Sequence, residues 1–183
     1  MAFVDLARGR LVLKAVVAGP PAVGKTSRLL QIAEVGRSET YGRTALGPQR
    51  MAILPLETER EGRAVEVELY EWHGLERADV RGKGIFVGLD GLVYLADARA
   101  DRKVDSQRQL EFLIDTVGRS RMRRLPGLLM LGQHDEGLLR LASYEGALAG
   151  VQWSHRYEGT VDDTAGFLEA LQLYAEVMLT RMV

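Results

Sequence analysis

The sequence predicts an α/β domain: a mostly parallel, six-stranded sheet with one antiparallel strand and helices on both faces. Three observations carry that expectation. Short apolar runs rich in branched residues alternate along the chain with segments whose apolar residues recur at helical spacing. One pair of runs is joined by a connection too short for a crossover, which makes that pair antiparallel. A glycine-rich break directly follows the first run, at the carboxyl end of a strand, where open α/β sheets bind their ligands.

Leu11 to Ala18 is the first run, and Gly19-Pro20-Pro21 stops it. Lys25 to about Val35 sets Leu29, Leu30, Ile32 and Ala33 at helical spacing, with Gly36 as the stop. Gly36 to Arg50 is polar and glycine-rich and reads as a long mobile loop. Met51 to Glu57 and Arg63 to Trp72 are strand-like around Glu61-Gly62, and their tight connection makes a hairpin. In the second of these, Val65, Val67, Leu69 and Glu71 alternate with Glu66, Glu68 and Tyr70, the period of a strand with one buried face. Glu76 to Arg81 leaves room for a short helix before Gly82, Gly84 and Gly88. Gly91 to Ala96 is a buried strand, and Val104 to Val117 is a helix with Leu110, Leu113, Ile114 and Val117 on one side. Leu125 to Leu131 and Val151 to Tyr157 are strands, with a helix expected at Gly137 to Leu148 between them. Asp162 or Asp163 caps a last helix carrying Phe167, Leu171, Tyr174 and Met178 on a core-facing stripe.

At 183 residues and 46% hydrophobic content, residues 1–183 read as one domain with one core. Lys and Arg number 24 against 25 Asp and Glu, a net charge of −1, which argues against nucleic-acid or membrane binding through bulk charge. With no cysteine in the chain, disulfides, thiolate zinc sites and thiol nucleophiles are excluded. His73, His134 and His155 show no zinc-ligand spacing. The basic cluster Arg119, Arg121, Arg123 and Arg124 lacks interleaved aromatics and reads as a solvated helix end, with contact to an acidic partner as the sharper alternative. No apolar run approaches the ~18 residues that span a bilayer, and Met1 to Arg10 lacks the apolar core of a secretory signal. A cytoplasmic location is expected.

Gly19-Pro20-Pro21-Ala22-Val23-Gly24-Lys25-Thr26 satisfies G-x-x-x-x-G-K-[ST] after a strand and before a helix, the context that the phosphate-binding loop requires. Its chemistry follows from position. Backbone N–H groups of Ala22, Val23, Gly24, Lys25, Thr26 and the adjoining Ser27 lie at the positive end of the helix and can converge on a phosphate. Lys25 would bridge β- and γ-phosphates as the catalytic cation, and the Thr26 hydroxyl would ligate Mg²⁺. Gly19 opens the turn. Pro20 and Pro21 donate no N–H, but they sit where the chain approaches the loop and stiffen it.

With this loop, Ile53-Leu54-Pro55-Leu56, Glu68-Leu69-Tyr70 with Gly74, and Gly88-Leu89-Asp90-Gly91-Leu92-Val93-Tyr94-Leu95-Ala96-Asp97, the chain resembles the Ras-like small GTPases, and most closely the bacterial gliding-motility and polarity GTPases of the MglA type. The spacing between these blocks is kept to about residue 135. The resemblance implies a Ras-like G domain, a GTP/GDP switch with Mg²⁺, and partner proteins that include Roadblock-domain regulators of the MglB kind.

Departures from the family pattern shape the expected activity. Glu71-Trp72-His73-Gly74-Leu75 stands where D-x-x-G and a catalytic Gln are usual. Gly74 keeps an N–H for the γ-phosphate, and Glu71 keeps a carboxylate that could reach Mg²⁺ through water, the plain alternative being a strand-end surface residue. Leu75 cannot orient water, and Glu76 could replace it only with a shifted backbone. His73 reads as a loop histidine rather than a base. Pro48 holds the place of the Mg²⁺-binding Thr and Gly47 that of an arginine, with Arg43, Thr44 and Arg50 near enough in sequence to compensate. Gly132-Gln133-His134-Asp135 replaces N-K-x-D; Asp135 could still accept both guanine hydrogen bonds, while Gly132 lacks the amide that braces the phosphate loop. Glu158-Gly159-Thr160 lies where a base-contacting loop is expected. The expectation is a guanine-nucleotide switch with slow or partner-dependent hydrolysis. Two alternatives stand beside it: a pseudo-GTPase acting as an interaction surface, and a small nucleotide kinase, which the absence of an Arg-rich lid disfavours.

Overall fold

The computed structural model describes residues 3–44, 47–74, 84–132, 139–144, 146–160 and 162–181, with the backbone alone described over 38–44 and 47–49. Its strands are β1 (Phe3–Asp5), β2 (Arg10–Ala18), β3 (Arg37–Thr44), β4 (Gly47–Arg60), β5 (Arg63–Glu71), β6 (Gly91–Asp97), β7 (Pro126–Gly132) and β8 (Gln152–Glu158). Its helices are α1 (Lys25–Ala33), α2 (Lys103–Val117), the one-turn α3 (Arg119–Met122) and α4 (Thr164–Thr180), with 3₁₀ turns at Ala100–Arg102 and Leu141–Tyr144.

The strands form one mixed sheet in the order β3-β4-β5-β2-β6-β7-β8, with β1 paired to β2. β2 pairs in parallel with β5 and β6, and β6-β7-β8 continue in parallel. β1 with β2, β3 with β4 and β4 with β5 are antiparallel. The described sheet thus exceeds the expected six strands by β1 and β3. The expected mobile loop at Gly36 to Arg50 is corrected: Arg37–Thr44 and Gly47–Arg60 are strands, paired from Arg37 opposite Ile53 to Thr44 opposite Gly47. Polar composition misleads there, because strand pairing is made by backbone hydrogen bonds, which any residue but proline can donate. The Glu61-Gly62 hairpin is present, both residues at positive φ.

Helices cover both faces. On one, Leu29 and Ile32 of α1 and Phe167, Leu171, Tyr174 and Met178 of α4 pack over Leu13, Val67 and Leu95. Full burial of an apolar side chain of this size stabilises by roughly 1.5–3 kcal/mol, so the α4 stripe anchors that helix. Leu30, expected with its neighbours, is exposed, and Arg28 is buried instead. On the other face Leu110, Leu113 and Ile114 of α2 pack over Val16, Leu92 and Tyr94. The alternation read in β5 holds on the α1 face, but Glu66 on the opposite face is also buried, paired to Arg10 at 2.6 Å. The helix expected at Gly137 to Leu148 is corrected within its described residues: 141–144 is a 3₁₀ turn and 146–150 are turns. No helix among the described residues is long and apolar enough to cross a membrane.

Candidate functional site

The site forms where β2 runs into α1. Pro20 and Pro21 lack the backbone N–H that a ladder needs, so β2 ends at Ala18. The chain turns through Ala22, a non-glycine residue at φ 60°, and Lys25 opens the helix. Val23 points into the core. Beneath it, Gly132 at the end of β7 comes so close that a Cβ would drive into the Val23 carbonyl oxygen. The loop therefore rests on backbone, and a longer residue at Gly132 would have to displace it.

The Lys25 side chain is buried, and its Nζ donates to the carbonyl oxygens of Gly19 at 2.9 Å and Pro20 at 2.8 Å. Burial pulls its pKa down to about 8, with the Glu71 charge acting in the opposite sense. Glu71, the last residue of β5, is fully buried, which corrects the alternative of an ordinary surface residue. Thr26 Oγ1 donates to Glu71 Oε1 at 2.5 Å, and the Arg50 backbone N–H donates to Oε2 at 3.3 Å. His73 Nε2 stands 3.7 Å from Oε2. Between the loop and this carboxylate lies a cavity of about 380 Å³, lined by Pro21, Ala22, Gly24, Lys25, Thr26, Ser27, Glu71 and His73. That volume falls in the range of small-molecule sites.

The electrostatics suit an anion held beside a cation. The helix start presents backbone N–H groups and the positive dipole end, and Lys25 adds a charge. Thr26 and Glu71 supply two hard oxygen donors already within one hydrogen bond of each other. Among the described residues no three His, Cys, Asp or Glu side chains gather as a metal cage. A cation here would draw its remaining oxygens from water and phosphate, which is how Mg²⁺ binds at phosphate sites, so the donor set fits Mg²⁺.

Six of the residues singled out in the sequence, Ala22, Gly24, Lys25, Thr26, Ser27 and Glu71, thus meet around one cavity. Gly19 and Val23 support it from behind. Gly74 has φ 73°, and a side chain there would strike the Gln109 amide of α2, so the turn needs glycine. Asp135 lies outside the described residues, as do Leu75, Glu76, Gln133 and His134. Arg43, Thr44, Gly47 and Pro48 fall in the β3–β4 hairpin, away from a loop conformation. Arg50 contributes its backbone N–H to Glu71.

Sequence reasoning set His73 aside as a loop histidine and passed over Gln109 and Arg28. His73 lines the cavity; its signal was its place two residues beyond Glu71, on the same side of an extended chain. Gln109 is buried behind Gly74, its Nε2 unpaired among the described residues. Arg28 stacks its guanidinium on Phe167, 4.8 Å from the ring centroid, and donates to the Thr160 carbonyl at 2.9 Å. It ties α1 to the turn after β8, and nothing local in the sequence marks that long-range contact. No known family model matches this chain, and no curated protein matches it in sequence.

Proposed function

We propose that the chain is a Ras-like P-loop domain of the MglA type that binds guanine nucleotide with Mg²⁺ and acts as a cytoplasmic, nucleotide-dependent switch. Its partner would be a regulatory or effector protein, a Roadblock-domain regulator being the family's precedent. The observation that carries this reading is the cavity between Lys25, buried at the start of α1, and the Thr26–Glu71 pair.

On this reading the amides of Ala22 to Thr26 hold the phosphates at the positive end of α1. Lys25 exchanges its bonds to Gly19 and Pro20 for phosphate oxygens, recovering in charge-assisted hydrogen bonds what it gives up to the carbonyls. Mg²⁺, when bound, would neutralise charge on the phosphates, with Thr26 and Glu71 as its protein donors. Asp135 would accept from the guanine N1–H and 2-amino groups. With Gly132 and Gln133 beside it, discrimination against adenine would be weak. Leu75 cannot align water, and Gly47 and Pro48 supply no cation or hydroxyl. Groups of that kind carry ~10³–10⁵ in rate, so unassisted hydrolysis is slow.

A pseudo-GTPase is the second reading, and one observation favours it: Lys25 and Thr26 already have partners within the protein. One experiment separates the two. Nucleotide released on denaturing purified protein is identified, and GTP, GDP and ATP are then titrated with Mg²⁺. Micromolar or tighter guanine-nucleotide binding, lost about a hundredfold in Lys25→Ala, supports the switch. Absence of binding to all three supports the pseudo-GTPase.

A further inference from the structure

We propose that His73 recognises the terminal phosphoryl group of a nucleoside triphosphate, an inference that rests on the nucleotide-binding reading above. His73 lines the cavity together with Glu71, opposite the loop residues. Among the described residues its Nε2 is shielded from solvent and has no hydrogen-bond partner. Glu71 Oε2, 3.7 Å away, is beyond hydrogen-bonding reach. A desolvated nitrogen left unpaired is unfavourable, and a turn of the ring into the cavity would let a ligand complete it.

The backbone accounts for the aim of the ring. The Trp72 N–H donates to the Val17 carbonyl at 2.9 Å, continuing the β5–β2 pairing past Glu71. The Trp72 indole is held in the core, stacked on Phe112 and edge-on to Phe86. Side chains two apart on an extended chain share a side, so fixing Trp72 inward turns Glu71 and His73 together toward the loop. Phosphates gripped by the loop amides and Lys25 would extend toward this wall with their last group, and Thr26 and Glu71 would hold a cation that neutralises their charge. A triphosphate then meets Nε2, and a diphosphate stops short of it.

Binding of GDP, and of a GTP analogue with an imido β–γ bridge, would be measured with Mg²⁺ for the unaltered protein and for His73→Ala, His73→Phe and His73→Gln. Thermal unfolding of each free protein accompanies the titrations, and His73→Phe keeps a ring at the turn where alanine leaves none. His73→Ala and His73→Phe should keep GDP affinity within about twofold and lose about tenfold or more for the triphosphate analogue. His73→Gln, which restores an N–H donor, should recover most of that loss. Equal losses for both nucleotides, or no loss for either, would overturn the assignment and leave nucleotide binding standing. Failure of the unaltered protein to bind either nucleotide would overturn both.

Discussion

The two walls of the cavity manage their polar groups in opposite ways. On the loop wall Lys25 is held by two carbonyls and Thr26 by a carboxylate. On the strand wall His73 Nε2, and behind it Gln109 Nε2, lie buried without partners among the described residues. Groups that are paired within the protein keep their place without ligand, whereas unpaired buried donors gain when a ligand or a moved backbone supplies acceptors. The loop wall is therefore the fixed grip, and the strand wall is the part with free energy to gain from what is bound.

The Thr26–Glu71 bond joins the walls, so removing it gives the largest test of this contrast. Thr26→Val keeps the shape of the side chain and leaves Glu71 Oε1 without its hydroxyl donor. The free protein should lose about 1–3 kcal/mol, measured by denaturant unfolding, since a buried carboxylate then lacks one partner. The response of nucleotide affinity to Mg²⁺ against EDTA should shrink in the same variant. Unchanged stability would mean that Glu71 does not bind the loop wall to the strand wall in solution.

Legibility in the sequence follows the same division. The loop wall was readable because its motif is contiguous: Gly19 to Thr26 carry strand end, turn and helix start in eight residues. Element types followed wherever apolar period was strong, as in β5, β6 and α4. The β3–β4 hairpin was not readable, since residues 37–50 carry no apolar period to mark them as strands. Nor was the short turn at Leu141–Tyr144, where apolar residues at helical spacing serve a single 3₁₀ turn. Gly132 was read as a lost amide, and only the approach of the Val23 backbone shows why a glycine fits there. The strand wall was half legible, because Glu71 was placed by resemblance while the aim of His73 depends on Trp72 being pinned by Phe86 and Phe112.

Proton linkage sharpens the contrast further. Lys25 in the free protein has its pKa lowered by burial from 10.5 to about 8, against the opposing charge of Glu71. Below pH 8 the ammonium is present before and after phosphate binds, and affinity should be flat. Above it, binding must take up a proton, so affinity should fall about tenfold by pH 9. The stability of the free protein runs the other way. Between about 8 and 10.5 the unfolded chain holds more proton than the folded one, so the contribution of Lys25 to stability rises with pH in that window. Calorimetry in buffers of different ionisation enthalpy should show close to one proton taken up at pH 9 and none near pH 7. Flat affinity through pH 9 would mean that the loop carbonyls keep Lys25 charged.

The smallest effect concerns what lies behind the loop wall. Asp163 caps α4 by accepting from the Gly166 N–H at 2.9 Å, and it also accepts from the Tyr157 hydroxyl at 2.7 Å. Hydrogen bonding to both donors holds its carboxyl below the usual carboxylate range. Asp163→Ala should lower stability slightly, read as an earlier midpoint in denaturant unfolding, because the helix loses its cap. Tyr157→Phe in that background should add little, because the hydroxyl has then lost its carboxylate partner. The grip on phosphate should not change, since Arg28 still reaches the Thr160 carbonyl from α1 and Lys25 keeps its own bonds. A fall of tenfold or more in nucleotide affinity in Asp163→Ala would show that the loop wall borrows its rigidity from the β8–α4 turn, and the contrast between a self-sufficient wall and a responsive one would not hold.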